Sequence, residues 1–283
     1  MLRRALVAAL ALALAAGALG ARYGLEQAGT TRVAAGLLYL PKGAALRAMS
    51  LGQEESLADL LYLWAIQYYS NYEDRSRYAF VDRIFRGAIT ELDPRFLEAY
   101  LVGALIMSVE ARRPDLALRL YDKGIEMMPE NWEIAYWAGW ECYYQKDYIG
   151  ARRYWRLGAA RPGAPPELQR HAARMLELAG DLRAALAEYE ELYENPPDER
   201  TKAVAAAWIE RLRTEIGLRE VDEALSRYRE RYGRCAPDLA ALRRAGMLGP
   251  LPGEVEGEPP PFVVDTEDCR ALPAPRHSFE KAR

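Results

Sequence analysis

Hydrophobic residues recur at helical spacing along most of the chain, and one version of this pattern returns at a fixed interval. In that version an alanine is followed four residues later by an aromatic residue, and a proline ends the segment. The alanines and the aromatic residues each lie 34 residues apart: Ala117, Ala151 and Ala185; Tyr121, Trp155 and Tyr189. The closing prolines are Pro129, Pro162 and Pro197. An interval of this length indicates a repeat protein.

The helical pattern and its breaks divide the chain into successive segments. Residues 51–94 predict a divergent helical hairpin, and residues 95–197 predict three regular hairpins. Residues 198–233 predict a further hairpin, in which the alanine–aromatic pair returns. The sequence therefore predicts an all-α solenoid, in which each hairpin buries its apolar face against its neighbours.

The regular hairpins also share a small residue in the first helix. These small residues are Ala104, Gly139 and Ala173. Together with the alanine–aromatic pair and the closing proline, they resemble the tetratricopeptide repeat over residues 95–197, and the resemblance returns at Ala224 and Tyr228. It implies that the small and aromatic residues pack helix against helix. The consensus Trp at the start of each first helix is replaced here by Tyr100, Ala135 and Gln169.

Two longer stretches carry a second, looser resemblance. "YLPKGAALRAMSLGQEESLADLLYLWAIQYYSNY" and "KDYIGARRYWRLGAARPGAPP" are similar to a group of exported bacterial tetratricopeptide envelope proteins. That similarity implies export and repeats, but it implies no reaction.

The resemblance to the tetratricopeptide repeat also implies a concave groove lined by the first helices. The groove positions of the three hairpins are Glu98, Leu101, Leu105 and Ser108; Glu133, Tyr136, Trp140 and Tyr143; Glu167, Arg170, Arg174 and Glu177. Of these, the candidate partner-binding residues are Leu101 and Leu105; Tyr136, Trp140 and Tyr143; Arg170 and Arg174. The apolar and aromatic side chains suit a partner peptide or helix, and the two arginines suit a carboxylate. Core residues follow the same helical spacing, and Glu167 and Glu177 are placed to neutralise the arginines. Ordinary packing between hairpins is therefore the alternative interpretation.

The N-terminal 21 residues have the composition of an export signal. A basic start, "MLRR", is followed by uncharged and mostly apolar residues from Ala5 to Ala21. This pattern is typical of a secretory signal peptide, and its length also reaches the lower limit for a membrane anchor. Residues 22–50 are predicted to connect it to the first hairpin. Either form predicts export, to the periplasm or to the periplasmic face of the inner membrane.

The C-terminal region, residues 234–283, is predicted to be a mostly irregular extension. Residues 254–268 contain six acidic residues and no basic one, which predicts either a solvated tail or an extension packed on the edge of the array. Cys235 and Cys269 flank this region and are candidates for a disulfide in an oxidising compartment. The sequence leaves open whether they pair.

Composition and motifs favour an interaction protein over an enzyme. The formal net charge is -3, and the absence of a long basic run argues against nucleic-acid binding. The only histidines, His171 and His277, do not form a metal-ligand pattern, and no phosphate-binding loop or G-x-S-x-G motif is present. We therefore expect no catalytic residue, no metal and no cofactor.

The sequence thus predicts a scaffold or adaptor that binds a protein partner in a bacterial envelope assembly, with membrane contact only through an uncleaved N-terminal segment. One alternative is an accessory subunit of an envelope enzyme for cell-wall or polysaccharide synthesis. Another is a carbohydrate-binding repeat protein, because Trp and Tyr also stack on sugars. The partner and the oligomeric state are left open.

Overall fold

The computed structural model describes residues 40, 41, 43–70, 77–255 and 257–274, together with residues 16, 17 and 20. The chain forms two compact units, Met1–Met127 and Met128–Arg283. Most of the predicted signal segment and the first part of the predicted connector lie outside the described residues. No helix in the described part of the chain is both long and apolar enough to cross a bilayer.

The described part of the first unit consists of helices of 3 to 16 residues. The helices are α1 (Gly43–Met49), α2 (Glu54–Tyr69), α3 (Val81–Ile84), α4 (Thr90–Leu92), α5 (Leu97–Leu105) and α6 (Pro114–Met127). A 3₁₀ turn, Arg77–Phe80, precedes α3, and wide π turns, Phe85–Ile89 and Ile106–Glu110, follow α3 and α5. The periodicity of the sequence does not predict these π turns, each of which adds a residue to a helical turn.

Helix α1 lies inside the predicted connector, residues 22–50, and corrects that prediction at its C-terminal end. Two contacts explain why these residues are helical. Leu46 is buried, and Arg47 Nη1 donates a hydrogen bond to the main-chain oxygen of Glu91 at 2.7 Å. The start of the first hairpin therefore begins earlier than the sequence pattern indicates.

Lys123 of α6 joins that helix to the segment that contains the first π turn. Its Nζ donates to the carbonyl oxygen of Arg86 at 3.0 Å, to Thr90 Oγ1 at 3.0 Å and to Glu91 Oε1 at 2.6 Å. The ammonium group also lowers the pKa of Glu91 below its ordinary value. The predicted packing residues of this unit, Ala104, Ala117 and Tyr121, are all buried.

The second unit contains longer helices and a small sheet. Its elements are α7 (Glu133–Tyr144), α8 (Tyr148–Ala159), α9 (Glu167–Leu178), α10 (Leu182–Glu194), α11 (Glu199–Tyr232), α12 (Leu239–Arg244), β1 (Phe262–Asp265) and β2 (Arg270–Pro273). Helix α7 packs on α8, α8 on α9, and α10 on α11. The predicted packing residues here are also buried: Gly139, Ala151, Trp155, Ala173, Ala185, Tyr189, Ala224 and Tyr228. Consecutive helices pair as tetratricopeptide-like hairpins.

Aspartate caps start four of the helices in this unit. The side chains of Asp147, Asp181, Asp198 and Asp238 each accept a hydrogen bond from the main-chain N–H three residues later. Such caps satisfy N–H groups that the helix itself leaves without an acceptor. They fix where α8, α10, α11 and α12 begin.

Residues 199–232 form one 34-residue helix, α11, and not the hairpin predicted for residues 198–233. Both halves of the helix find a buried partner without folding back. The first half contributes Ala205, Ile209 and Leu212 to a core with α10. The second half contributes Val221 and Leu225, with its other inward residues, to a core with the C-terminal extension. The alanine–aromatic pair at Ala224 and Tyr228 therefore packs against that extension and not against a second helix of its own.

The C-terminal extension is more regular than the sequence pattern predicts, and it packs on α11 instead of forming a solvated tail. Strands β1 and β2 are antiparallel, with Phe262 opposite Pro273. Phe262 is buried against Gly217, where a Cβ would collide with the phenyl ring. Asp222 Oδ1 accepts the N–H of Ala271 at 2.6 Å.

A disulfide joins Cys235 to Cys269, with their Cα atoms 5.7 Å apart. The bond links the segment after α11 to the turn of the β-hairpin. The third cysteine, Cys142, is buried in the second unit and is not part of this disulfide.

Replacing both bonded cysteines, in C235S/C269S, is expected to lower the free energy of unfolding by about 4 kcal/mol, because the bond closes a loop of 34 residues in the unfolded chain. Chemical denaturation of wild type and variant, each with and without a reductant, measures this. The reductant should destabilise the wild type and leave the variant unchanged. Equal stability of oxidised wild type and variant would contradict the expectation.

Candidate functional site

Helix α7 has two chemically different sides. Small and apolar residues are buried on one side: Ile134, Ala135, Ala138, Gly139 and Cys142. Aromatic residues, which we call the α7 aromatic surface, occupy the rest of the helix: Tyr136, Trp137, Trp140, Tyr143 and Tyr144. The buried side fixes the helix in the unit, so the aromatic side chains project from a rigid backbone.

Gly139 allows an aromatic side chain of α8 to reach the backbone of α7. The indole N–H of Trp155 donates a hydrogen bond to the carbonyl oxygen of Tyr136 at 3.1 Å. A Cβ at position 139 would collide with the Trp155 ring, which is itself 1% exposed. Glycine is thus required at this point for close approach and not for backbone freedom.

Trp140 is the centre of a cluster of rings contributed by three helices. Its ring centroid lies 5.3 Å from that of Trp155 in α8 and 5.5 Å from that of His171 in α9. Tyr143 lies 5.3 Å from Trp140 and 6.2 Å from Trp155. The structure therefore brings the predicted groove residues Trp140 and Tyr143 together, but it also packs them against neighbouring helices.

Trp137 and Tyr144 are the most exposed members of the α7 aromatic surface. Their exposed fractions are 47% and 75%. They lie seven residues apart, so they share one face of the helix. The repeat resemblance does not select them, because neither is a groove position that it carries over. Their helical spacing from each other is the only sequence signal that marks them.

The two predicted groove arginines are engaged elsewhere. Arg170 Nη1 donates to Thr201 Oγ1 at 2.5 Å, and Arg170 lies 3.9 Å from the Glu167 carboxylate. Arg174 lies over the Trp208 ring, with the guanidinium carbon 5.8 Å from the centroid. Arg170 thus joins α9 to the start of α11, and its role as a carboxylate-binding residue stays a prediction. Arg174 belongs with α11 and not with Trp140.

The other two predicted groove residues belong to the first unit. Leu101 is half-buried in α5, and Leu105 at the end of that helix is 57% exposed. The exposed Leu105 is followed by Val109, which is 65% exposed in the adjoining π turn. A single groove that includes both these leucines and α7 stays a prediction.

His171 is the titratable group inside the ring cluster. Its ring lies 4.9 Å from Trp155 and is half-buried. Burial lowers the pKa of His171, Arg170 and Arg174 lower it further, and only Glu167 opposes them. The neutral imidazole is therefore the form that fits the cluster near neutral pH.

Nothing in the described residues brings metal-binding side chains together. No group of three or more His, Cys, Asp or Glu residues in that part of the chain is arranged to hold a metal ion. The chemistry that the surface offers is aromatic and charged contact.

Comparisons with known proteins give only distant similarity. No protein-family model and no curated protein matches the chain. Two solved structures that resemble it are crystal structures of MamA. One has a TM-score of 0.33 and 14% identity, covering 50% of this chain and 92% of that chain. The other has a TM-score of 0.36 and 12% identity, covering 57% of this chain and 91% of that chain. We derive neither fold nor function from similarity at this level.

Adding one methyl group, in G139A, is expected to lower the free energy of unfolding by about 1–2 kcal/mol. The collision with Trp155 outweighs the gain of about 1 kcal/mol that alanine gives to a helix interior. Chemical denaturation measures the change. The matched control is G249A, where no atom lies within 4 Å of an added Cβ. If the two variants were equally stable, Trp155 would not be held against α7 as described.

Acidification is expected to destabilise the wild type through His171. The pKa of His171 is lower in the folded than in the unfolded chain. At pH values below the ordinary pKa of about 6.5, the unfolded chain therefore binds more protons than the folded chain. The free energy of unfolding then decreases as the pH is lowered. In H171Q this contribution should disappear. Urea denaturation at about pH 7.5 and about pH 5.5 measures the difference. An identical loss of stability in wild type and H171Q would contradict the role of His171.

Proposed function

We propose that this protein is a non-enzymatic scaffold that binds a partner protein through the α7 aromatic surface. Trp137 and Tyr144 are the central contacts of that surface. The observation that carries the proposal is the exposure of these two rings, 47% and 75%, on one face of α7. The opposite face of α7 is buried, and the following helix, α8, is capped by Asp147. Single exposed apolar residues are common, but a shared face of large rings is typical of an interaction site.

The energetics of interfaces support this use of Trp137 and Tyr144. Trp and Tyr residues account for much of the binding energy at protein interfaces, where they fill pockets in the partner. Their backbone is already fixed by the Trp155 contact and by the cap of α8, so binding orders few additional groups. A preorganised surface loses less conformational entropy on association.

We further propose that the protein acts outside the bacterial cytoplasm, in an envelope assembly such as a secretion, pilus or motility complex. The disulfide between Cys235 and Cys269 supports this proposal, because such bonds persist mainly in oxidising compartments. The basic and apolar composition of residues 1–21 agrees with it. An accessory role beside an envelope enzyme would use the same surface and would differ only in the partner.

Carbohydrate binding is the second candidate function. The same exposed rings favour it, because Trp137 and Tyr144 are 47% and 75% exposed and aromatic rings stack on sugars. The two candidate functions differ in their ligand, which is a partner protein in one and a carbohydrate in the other. They are distinguished by which of these ligands requires Trp137 and Tyr144 for binding.

The test is crosslinking in intact cells with wild type, W137A/Y144A and the control Y193A/Y232A. The control removes two other exposed aromatic residues, Tyr193 and Tyr232, which are 43% and 47% exposed on α10 and α11. Circular dichroism establishes that all three proteins are folded. We expect a partner protein that is captured by wild type and control and is lost in W137A/Y144A.

An unchanged set of crosslinked proteins in W137A/Y144A would refute the proposed surface. Titration with soluble cell-wall fragments tests the second candidate in the same variants. A heat of binding measured by isothermal titration calorimetry in wild type and control, absent in W137A/Y144A, would favour carbohydrate binding over the scaffold.

A further inference from the structure

We propose that the segment bound by the α7 aromatic surface is cationic, an extended stretch of a partner protein that carries lysine or arginine residues. This inference rests on the proposed function and adds the charge of the partner to it. Its basis is the placement of two carboxylates around the exposed rings.

Glu133 and Glu141 lie one helical turn before and one turn after Trp137. Residues four apart on a helix are neighbours, so the three side chains form a continuous row. Tyr144 follows Glu141 by three residues and extends the same row. Exposed aromatic rings and carboxylates therefore alternate along one face of α7.

The negative charge of this row is not neutralised within the described residues. Neither Glu133 nor Glu141 forms an ion pair there, and Glu141 Oε1 accepts only a neutral amide hydrogen bond, from Gln145 Nε2 at 3.0 Å. Helix α7 itself contains no lysine or arginine. Lys146 is exposed beyond the helix end, and Arg161 is directed to the main-chain oxygens of Met128 and Asn131.

The helix dipole makes the Tyr144 end the stronger cation site. The partial positive charge at the helix N-terminus offsets part of the Glu133 charge, since Glu133 is in the first turn. Glu141 lies in the last turn, where the partial negative charge of the free carbonyl groups adds to its own. A cation that contacts Glu141 and Tyr144 is therefore attracted by both.

The exposed rings add a second attraction for cations. The faces of Trp and Tyr carry partial negative charge and bind ammonium and guanidinium groups. Unit two already uses this contact elsewhere, since the Arg211 guanidinium lies 4.6 Å from the centroid of the Trp208 ring. A lysine or arginine of the partner that rests on Trp137 also reaches Glu133 or Glu141.

An acidic partner finds no equivalent attraction on this row. The arginines that the sequence pattern offered to a carboxylate are Arg170, which is bonded to Thr201 and lies beside Glu167, and Arg174, which lies over Trp208. An acidic segment would meet Glu133 and Glu141 instead. The row therefore favours a cationic segment over an acidic one.

The test uses the full chain and three labelled peptides of equal length. In the first peptide lysine alternates with serine and alanine, and in the others glutamate or glutamine replaces every lysine. Fluorescence anisotropy measures binding at low and at physiological salt. We expect the lysine peptide to bind at least about tenfold more tightly than the glutamate peptide, with a smaller advantage at higher salt.

The matched variants are E133Q/E141Q and E215Q/E230Q, which remove the same charge from α7 and from exposed positions of α11. The first should abolish most of the preference for lysine, and the second should preserve it. A glutamate peptide that binds as tightly as the lysine peptide, no binding of the lysine peptide, or equal effects of the two variants would each overturn the inference.

The same peptides separate this inference from the proposed function. Binding of all three peptides without charge preference, lost in W137A/Y144A, would overturn the cationic partner and leave the binding surface standing. If the peptides bind W137A/Y144A as tightly as they bind the wild type, the proposal that the α7 aromatic surface binds a partner is overturned as well.

Discussion

The candidate binding surface depends on the contact between the Trp155 ring and the backbone of α7. Because residue 139 lacks a Cβ, the indole of Trp155 reaches the carbonyl oxygen of Tyr136 and lies 5.3 Å from Trp140. Trp140 in turn contacts His171 of α9. One glycine therefore connects three helices through aromatic packing, and the orientation of α7 follows from it. A bulkier residue at that position would separate α7 from α8 and move every ring of the surface.

This packing divides the aromatic residues of α7 into two groups with different physical roles. Trp140 and Tyr143 are partly buried against other aromatic rings, and this packing contributes to the stability of the folded unit. Trp137 and Tyr144 keep 47% and 75% of their surface exposed, so their burial contributes less to stability. Half-exposed aromatic residues next to two carboxylates that form no ion pair among the described residues are the basis of the proposal that this surface binds another molecule. The apolar spacing alone does not separate these groups, since both follow the helical period.

The repeat and its packing residues could be predicted from the sequence because they depend on periodicity. Ala151 and Trp155 mark the helix–helix contacts at a fixed interval, and the hairpins follow from them. The exposure of individual rings could not be predicted, because it depends on which side chains of α8 and α9 cover α7. Arg170 shows the same limit, since its partner Thr201 is 31 residues away. The sequence did not predict the single helix α11, because the second half of this helix packs against the short helix α12 and a β-hairpin, and the repeat pattern contains no β-hairpin.

The C-terminal extension solves a problem that every array of helical hairpins has at its last helix. Without a following hairpin, the side of α11 formed by Val221, Leu225 and neighbouring residues would be apolar and open to water. Phe262 and Ala271 of the β-hairpin cover it, and the disulfide holds the turn of that hairpin next to the end of α11. Two short strands alone are marginally stable in water, so the covalent bond is what makes so small an element a durable cover. Among the described residues of this unit, nothing comparable covers Trp137 and Tyr144, and this difference supports the proposal that the α7 aromatic surface binds a partner.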